Sequence, residues 1–510
     1  MGPEQFNVGD YLLEGKADGD LALLMLQGSH TYGDLRIASS AIANYLRGCG
    51  AEKGDRVLLI GENSFFWVAG YLGILRTGLV SVPVPPATSP NNLQYFAEKT
   101  GARFALAQAG LLSRLSTKFG PPNVLSDRPF ASNAAFVSLP VLLEQDPIPQ
   151  SPTAATKPSD LAALMFTSGS TGQPQAVMVS HWNIRANTES IVEYMALTSR
   201  DRVMVVLPFH YCFGTSLLHT HLRVGGTLVL DSRFMYPEKV LQRMQETECT
   251  GFAGVPSHYQ ILLDKTSLRK KAFPHLRYVQ QAGGHLGSAA IRRLRETLPE
   301  TQVFVMYGQT EATARLSFLP PELLDTKLGS IGTGIPGVRL SVENEGKLVQ
   351  PGEVGEIVAE GENVALGYWR DPEETARVFR EGRLHSGDIA TVDEDGFISI
   401  VSRARDFLKC GGTRISCQQL EQQILECQDL LEVAVIGVPD EVMGEAVKAF
   451  VVTRNDTSTT PDQVKLFCKT RLPFPLVPRD VVIVEALPKN DSGKVLKEEL
   501  RSGEECCHDT

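Results

Sequence analysis

Phe166-Thr167-Ser168-Gly169-Ser170-Thr171-Gly172-Gln173-Pro174 follows an apolar run at 161–165 that reads as a buried strand. Hydroxyl side chains and glycines at a strand end offer donors and bare backbone N–H groups, which suit phosphate oxygens. No Gly-Lys-Ser/Thr closes the loop, so it is not a Walker loop. Composition alone fits a surface turn equally well. A second group, Tyr307-Gly308-Gln309-Thr310-Glu311, follows the strand-like run 303–306. Ligands collect at the carboxyl ends of parallel strands. A hydroxyl and a carboxylate there could hold a phosphate and its Mg²⁺, an ion that takes one or two carboxylates plus phosphate oxygens. The plainer alternative is an N-capping Thr with an acid in the first helical turn.

The third group is His385-Ser386-Gly387-Asp388, followed by Asp395-Gly396 and Ser402-Arg403-Ala404-Arg405-Asp406. Asp388 could accept from two ribose hydroxyls, although an Asx-turn between strands uses the same residues. The fourth is Pro488-Lys489-Asn490-Asp491-Ser492-Gly493-Lys494, whose lysine would by itself read as a solvated cation.

In this order and at this spacing the four groups resemble the adenylate-forming superfamily: acyl-CoA synthetases, peptide-synthetase adenylation domains and firefly luciferase. The resemblance runs from about residue 20 to about residue 500. It implies that Thr167, Ser168, Gly169, Ser170, Thr171 and Gly172 hold the β- and γ-phosphates of ATP. Thr310 would contact the α-phosphate and Glu311 would bind Mg²⁺. Tyr307 and Gly308 would lie against adenine, opposite Gly283-Gly284-His285, while Asp388 and Arg403 would take the ribose. Lys494 would reach the α-phosphate and the attacking carboxylate. Charge builds there on five-coordinate phosphorus, and one such donor is worth about 10²–10³ in rate. The resemblance also implies a C-terminal domain that swings on a hinge at Arg405. Gly411 and Gly412, in the run Lys409–Arg414, would then border the path of a pantetheine thiol.

Two departures stand out. The phosphate loop of the family usually continues Pro-Lys-Gly, and here it reads Pro174-Gln175-Ala176, which removes a cation near the departing pyrophosphate. Ser402 and Arg405 replace the usual glycine and hinge residue.

Amino-acid-activating relatives carry an aspartate soon after the position of Pro208; here the segment is Phe209-His210-Tyr211-Cys212-Phe213-Gly214. A buried ammonium without a counter-charge is expensive, so a non-amino acid is expected, fatty or aromatic. Its pocket would comprise His210, Tyr211, Phe213, Gly214 and Gly284, with Tyr211 as an aromatic gate. His219, His221 and His258 read as core or surface histidines rather than metal ligands, since His219 and His221 face different directions on a helix.

The elements that must position these groups alternate. A helix expected from Leu35, stopping at Gly48-Cys49-Gly50, precedes a strand at 56–60, a helix containing Phe65, Phe66 and Trp67, and a strand at 80–82. Apolar strands recur at 203–207, 227–231, 251–255, 278–281 and 302–306. Strands without alternation are buried on both faces, as in parallel sheets covered by helices. Residues 146–158 form a proline-rich connector, and near residue 338 the pattern changes to hairpins around Glu345-Gly346, Pro351-Gly352 and Asp395-Gly396. The expected fold is therefore α/β. A large N-terminal domain (1–404) has mostly parallel sheets plus a β-rich subdomain, and a small mobile α+β domain (405–510) carries Lys494.

At 510 residues more than one domain is expected. A net charge of −10 argues against a nucleic-acid partner. No apolar run approaches the roughly 20 residues of a membrane span. Met1-Gly2-Pro3-Glu4 opens no secretory signal. Nine cysteines without Cys-x-x-Cys spacing suit reduced thiols, and a cytoplasmic protein is expected. Three functions remain open on sequence: transfer of the acyl group to CoA, loading of the phosphopantetheine arm of a carrier protein, or a non-catalytic nucleotide or acyl binder.

Overall fold

Thr31 starts the first long helix, Tyr32–Gly48, through a capping box in which its side chain accepts from the Asp34 backbone while Asp34 accepts from Thr31. The helix thus begins three residues before the apolar stripe that reveals it. The next helix, Phe65–Arg76, is apolar nearly all round and is enclosed, with Trp67 and Leu72 buried. The two pack closely because Gly73 has no side chain: a Cβ there would lie 2.9 Å from the Ser39 carbonyl. The computed structural model describes residues 5–114, 123–129, 137–144, 153–167, 174–403, 407–410, 413–440, 444–454, 458–489 and 495–505.

Among the described residues, one sheet runs Val137–Ser138, Val124–Ser126, Phe104–Ala107, Arg56–Ile60, Val80–Val84, Leu161–Thr167 and Gln175–Ser180. Every pairing is parallel except the last, Leu161–Thr167 with Gln175–Ser180. A second sheet has a parallel centre, ordered Gln302–Tyr307, Tyr278–Gln281, Gly251–Gly254, Arg202–Val205, Thr227–Leu230 and Leu21–Leu24. Antiparallel strands close both of its edges. The buried centres of these strands explain why their sequences are apolar without alternation.

His219 and His221 belong to this core. Both sit in the helix Cys212–Val224, and each meets a buried tyrosine hydroxyl at 2.9 Å, Tyr71 and Tyr278 respectively. Burial lowers their pKa values to about 3 and about 4. His258 is half-buried beside Phe234, and desolvation lowers its pKa to about 4.

The third sheet is antiparallel, built from Val338–Asn344, Lys347–Leu348, Val354–Gly361, Phe379–Arg380, Arg383–Val392 and Ile398–Arg403. Two of its hairpins turn on two residues at positive φ, Glu345 and Gly346 (49° and 75°) and Glu381 and Gly382 (53° and 75°), as a two-residue turn that follows the strand twist requires. A separate α+β unit follows, with strands Phe407–Cys410, Thr413–Ser416, Leu430–Asp440, Gly444–Thr453 and Asp480–Ile483. The helices Cys417–Leu425 and Pro461–Lys469 pack on its apolar core. The two parts touch through an ion pair between Arg454 and Asp264, 2.5 Å. The expected 404/405 boundary and the hinge residue Arg405 lie outside the described residues. Among the described residues, no helix is long and apolar enough to cross a membrane.

Candidate active site

Tyr307 is the last residue of Gln302–Tyr307, at the carboxyl end of a central parallel strand. The chain then doubles back on itself, and Leu316 donates its backbone N–H to the Tyr307 carbonyl at 2.9 Å. Only glycine fits at 308, where a Cβ would lie 2.0 Å from the Ala314 carbonyl oxygen. The returning loop holds Thr310–Ala312 as one 3₁₀ turn, and Thr313 sits at φ 66°, a strained conformation for a β-branched residue. The Thr313 hydroxyl secures it by donating to the Asn363 carbonyl at 2.7 Å. The N-cap of that turn is Gln309, whose side chain makes no capping bond, rather than Thr310, whose hydroxyl lies 3.4 Å from Cys212 Sγ.

This loop forms one wall of a cavity of about 1400 Å³. Tyr307, Gly308, Thr310 and Glu311 line it, as do Gly283, Gly284 and His285 from the neighbouring strand end. Gly283 takes φ 82°, and a side chain there would meet Val255 and approach the Tyr211 hydroxyl. Asp388 enters from the antiparallel sheet. It lies within Arg383–Val392 rather than in a turn, and it is 4% exposed. Tyr307 donates its hydroxyl to Asp388 Oδ2 at 2.7 Å. Arg403 stands opposite Asp388 in the strand register. Thr167 ends its strand at the cavity edge, paired in register with Gln175. Ser168, Gly169, Ser170, Thr171 and Gly172 lie outside the described residues, as do Gly411, Gly412 and Lys494. The first two of the tunnel run, Lys409 and Cys410, end one strand and Thr413 begins its antiparallel partner.

His210 and Tyr211 line the cavity; Phe213 and Gly214 do not. The Phe213 ring is buried under the Arg315 guanidinium, 4.0 Å away. Gly214 is pressed on the chain before it, where a Cβ would lie 2.1 Å from the Pro208 carbonyl. Both residues shape the wall from behind. Burial lowers the pKa of His210 to about 4, so its imidazole is neutral near pH 7, and desolvation also lowers that of His285.

Several cavity residues belong to none of the four sequence groups. Tyr368 donates to Glu311 Oε1 at 2.8 Å, and its own pKa is raised by burial and by the Glu311 charge. Glu356 accepts from the Gly387 backbone at 3.0 Å and meets His385 Nδ1 at 3.1 Å, which braces the strand that carries Asp388. Gln281 donates to the Gly284 carbonyl at 2.7 Å. Gln175, where the family loop usually has lysine, donates to Asp371 Oδ2 at 3.0 Å, and its own carbonyl oxygen has no partner among the described residues. Gln418 and Glu498 bring the C-terminal unit to the cavity rim. No sequence signal marks Tyr368 or Glu356, because their partners are 57 and 31 residues away.

Residues 15–369 match the AMP-binding enzyme family, and residues 419–494 match the AMP-binding enzyme C-terminal domain. The chain belongs to the AMP-binding enzyme family. Among its relatives in that family, a feruloyl-CoA synthase from Amycolatopsis sp is 33% identical over 92% of this chain and 93% of its own. The 3-[(3aS,4S,7aS)-7a-methyl-1,5-dioxo-octahydro-1H-inden-4-yl]propanoyl:CoA ligase of Rhodococcus jostii (strain RHA1) is 30% identical, with coverage of 96% and 95%. The crystal structure of ATP-bound MatB from Rhodopseudomonas palustris superposes with a TM-score of 0.86 at 28% identity, covering 98% of this chain and 99% of that one. As an AMP-binding enzyme, the chain has the expected α/β architecture with a large N-terminal and a small C-terminal unit.

Proposed function

We propose that this chain is an AMP-forming acid–CoA ligase that adenylates a non-amino carboxylic acid and passes the acyl group to CoA. The observation that carries this reading is the convergence of Tyr307, Thr310, Glu311 and Asp388, from two different sheets, on one cavity. Relatives that span nearly its whole length bear CoA-ligase names, which favours CoA over a carrier protein as the acceptor.

In the first half-reaction a carboxylate oxygen of the acid forms a bond to the α-phosphorus of ATP, and the bond from that phosphorus to the bridging oxygen breaks, releasing pyrophosphate. Asp388, oriented by Tyr307, is suited to accept from the ribose hydroxyls. Thr310 is suited to donate to the α-phosphate, and Thr167 with residues 168–172 to hold the outer phosphates. Glu311 has one oxygen secured by Tyr368, and a single oriented carboxylate fits Mg²⁺, which completes its shell with phosphate oxygens and water. Bound there, Mg²⁺ would offset charge on the phosphates. Lys494 is assigned the role of mobile cation for this step. In the second half-reaction the CoA sulfur bonds to the acyl carbon and the carbon–oxygen bond to AMP breaks, with Gly411 and Gly412 beside the incoming thiol.

The pocket wall of His210, Tyr211, Gly283 and Gly284 bears no carboxylate, which disfavours an α-amino acid. We place the domain boundary at 404/405 and the enzyme in the cytoplasm. Acid-dependent exchange of pyrophosphate into ATP, followed by thiol competition between CoA and carrier proteins, tests the reading. Product analysis should give AMP; release of ADP would refute it. Lys494→Ala should abolish exchange and spare thioester formation from supplied acyl-adenylate.

A further inference from the structure

Arg315 is the only lysine or arginine fully buried among the described residues, at 1% exposure. Other arginines that reach into this sheet meet carboxylates: Arg277 pairs with Asp201 at 2.9 Å and Arg233 with Asp231 at 2.7 Å. No described carboxylate stands beside Arg315. The polar groups that face it are Tyr194, whose hydroxyl oxygen accepts one guanidinium N–H, and Cys212 and Tyr211, and its guanidinium lies over the Phe213 ring. Its Nε points at Met306 Sδ at 3.4 Å, and the Tyr194 hydroxyl converges on the same sulfur at 3.1 Å. A thioether is a weak acceptor. Arg315 Nη2 is buried with no partner among the described residues. Strong donors therefore outnumber acceptors here, around a desolvated positive charge, an arrangement that is unfavourable until an anion arrives.

The surplus adjoins the candidate acid pocket. Met306, Tyr211 and Gly308 all line the cavity, and Arg315 lies directly behind them: a Cβ on Gly308 would be 2.7 Å from the Arg315 Cα. Cys212 touches Thr310 on one side and senses the Arg315 charge on the other. An acid whose reacting carboxyl sits at Thr310 thus has a buried cation one side chain deeper. Met306 has three rotatable bonds and can turn aside.

We infer that Arg315 receives a second carboxylate at the far end of the acid, so that this chain activates a short dicarboxylic acid and Arg315 determines that specificity. The inference rests on the ligase reading. A guanidinium pairs with a carboxylate through two parallel N–H···O bonds, and the second carboxylate replaces the thioether as acceptor. An acid with a methyl group in that place leaves the donors unsatisfied. A brace that merely stacks on Phe213 would not tell the two acids apart.

The test is pyrophosphate exchange with succinate, glutarate and adipate against the chain-matched butyrate, valerate and hexanoate. The expected kcat/KM is about 100-fold higher for the best dicarboxylate than for its monocarboxylate. Arg315→Met should collapse that preference, and Arg315→Lys should keep part of it. Equal or faster exchange with the monocarboxylates would overturn the inference and leave the ligase reading standing. So would an equal loss on both acid classes in an Arg315→Met protein of unchanged Tm. Absence of exchange with every acid would remove the ligase reading and this inference together. The wild-type comparison needs no variant, so it decides the matter even if Arg315→Met fails to fold.

Discussion

The Tyr307 hydroxyl donates to Asp388 Oδ2 across 2.7 Å, joining the end of a parallel strand to the antiparallel sheet inside the cavity. The two residues are 81 positions apart, and each is at most 9% exposed. A hydrogen bond to a charged group is worth about 1.5–3 kcal/mol. Tyr307→Phe should therefore raise the KM for ATP by about tenfold or more, with a smaller change in kcat, because Asp388 keeps its charge and loses its orientation. Asp388→Ala should weaken nucleotide binding further. Steady-state kinetics with varied ATP separates the two, and an unchanged KM in Tyr307→Phe would deny Asp388 its role in nucleotide binding.

Tyr368 bears the same relation to Glu311. Loss of a group that orients a metal-binding carboxylate lowers metal affinity by about 10–100-fold. Tyr368→Phe should shift the Mg²⁺ dependence of exchange to higher concentrations by about tenfold, with recovery at saturating Mg²⁺. Titration of Mg²⁺ at fixed ATP reads this directly. A proportional loss at every Mg²⁺ concentration would place Tyr368 in the chemical step instead.

Gln175 carries no charge where the family loop usually carries lysine, and it donates to Asp371. Asp371 also caps the helix Pro372–Val378, accepting from the Glu374 backbone at 3.1 Å. A cation introduced here would neutralise Asp371 and add positive charge at the edge of the phosphate loop. Gln175→Lys should raise the adenylation rate by up to about tenfold, read by rapid-quench release of pyrophosphate. No gain would show that Asp371 absorbs the added charge.

Stability should fall as the solution is acidified from about pH 6.5 to about pH 4. His181, His219 and His221 are held neutral by burial, with pKa values lowered to about 4, 3 and 4. Below pH 6.5, the ordinary value for histidine, the unfolded chain takes up protons that the folded chain refuses, so the unfolding free energy drops as pH falls. The contacts agree: His181 Nδ1 accepts the Val8 N–H at 3.1 Å, which requires that nitrogen to be unprotonated. Urea unfolding at pH 7 and pH 5 should differ by a few kcal/mol. A flat profile would mean that these imidazoles are solvated.

The order of elements and the residues Tyr307, Gly308, Thr310, Glu311 and Asp388 that gather at the cavity were legible in the sequence because both are local. Runs such as 56–60 and 278–281 are apolar without alternation since each is covered on both faces, and they form strands at those positions. The groups around Tyr307, Thr310 and Asp388 each occupy a few consecutive residues at the end or in the bend of a strand, so their chemistry could be read as a string. Composition alone could not choose between a phosphate loop and a turn; the order of four such groups supplied the family. What the tertiary structure decided are the relations across long stretches of chain. Tyr368 reaches Glu311, Glu356 braces Gly387 and Gln175 meets Asp371 through the pairing and packing of segments far apart in the chain. Phe213 and Gly214 were expected in the pocket, but a helix has two faces and only its docking says which one the cavity sees. Arg315 in a sequence is one more surface cation. Only the packed core shows it enclosed with more donors than acceptors, because burial and unmet hydrogen bonds are properties of neighbours and not of a residue.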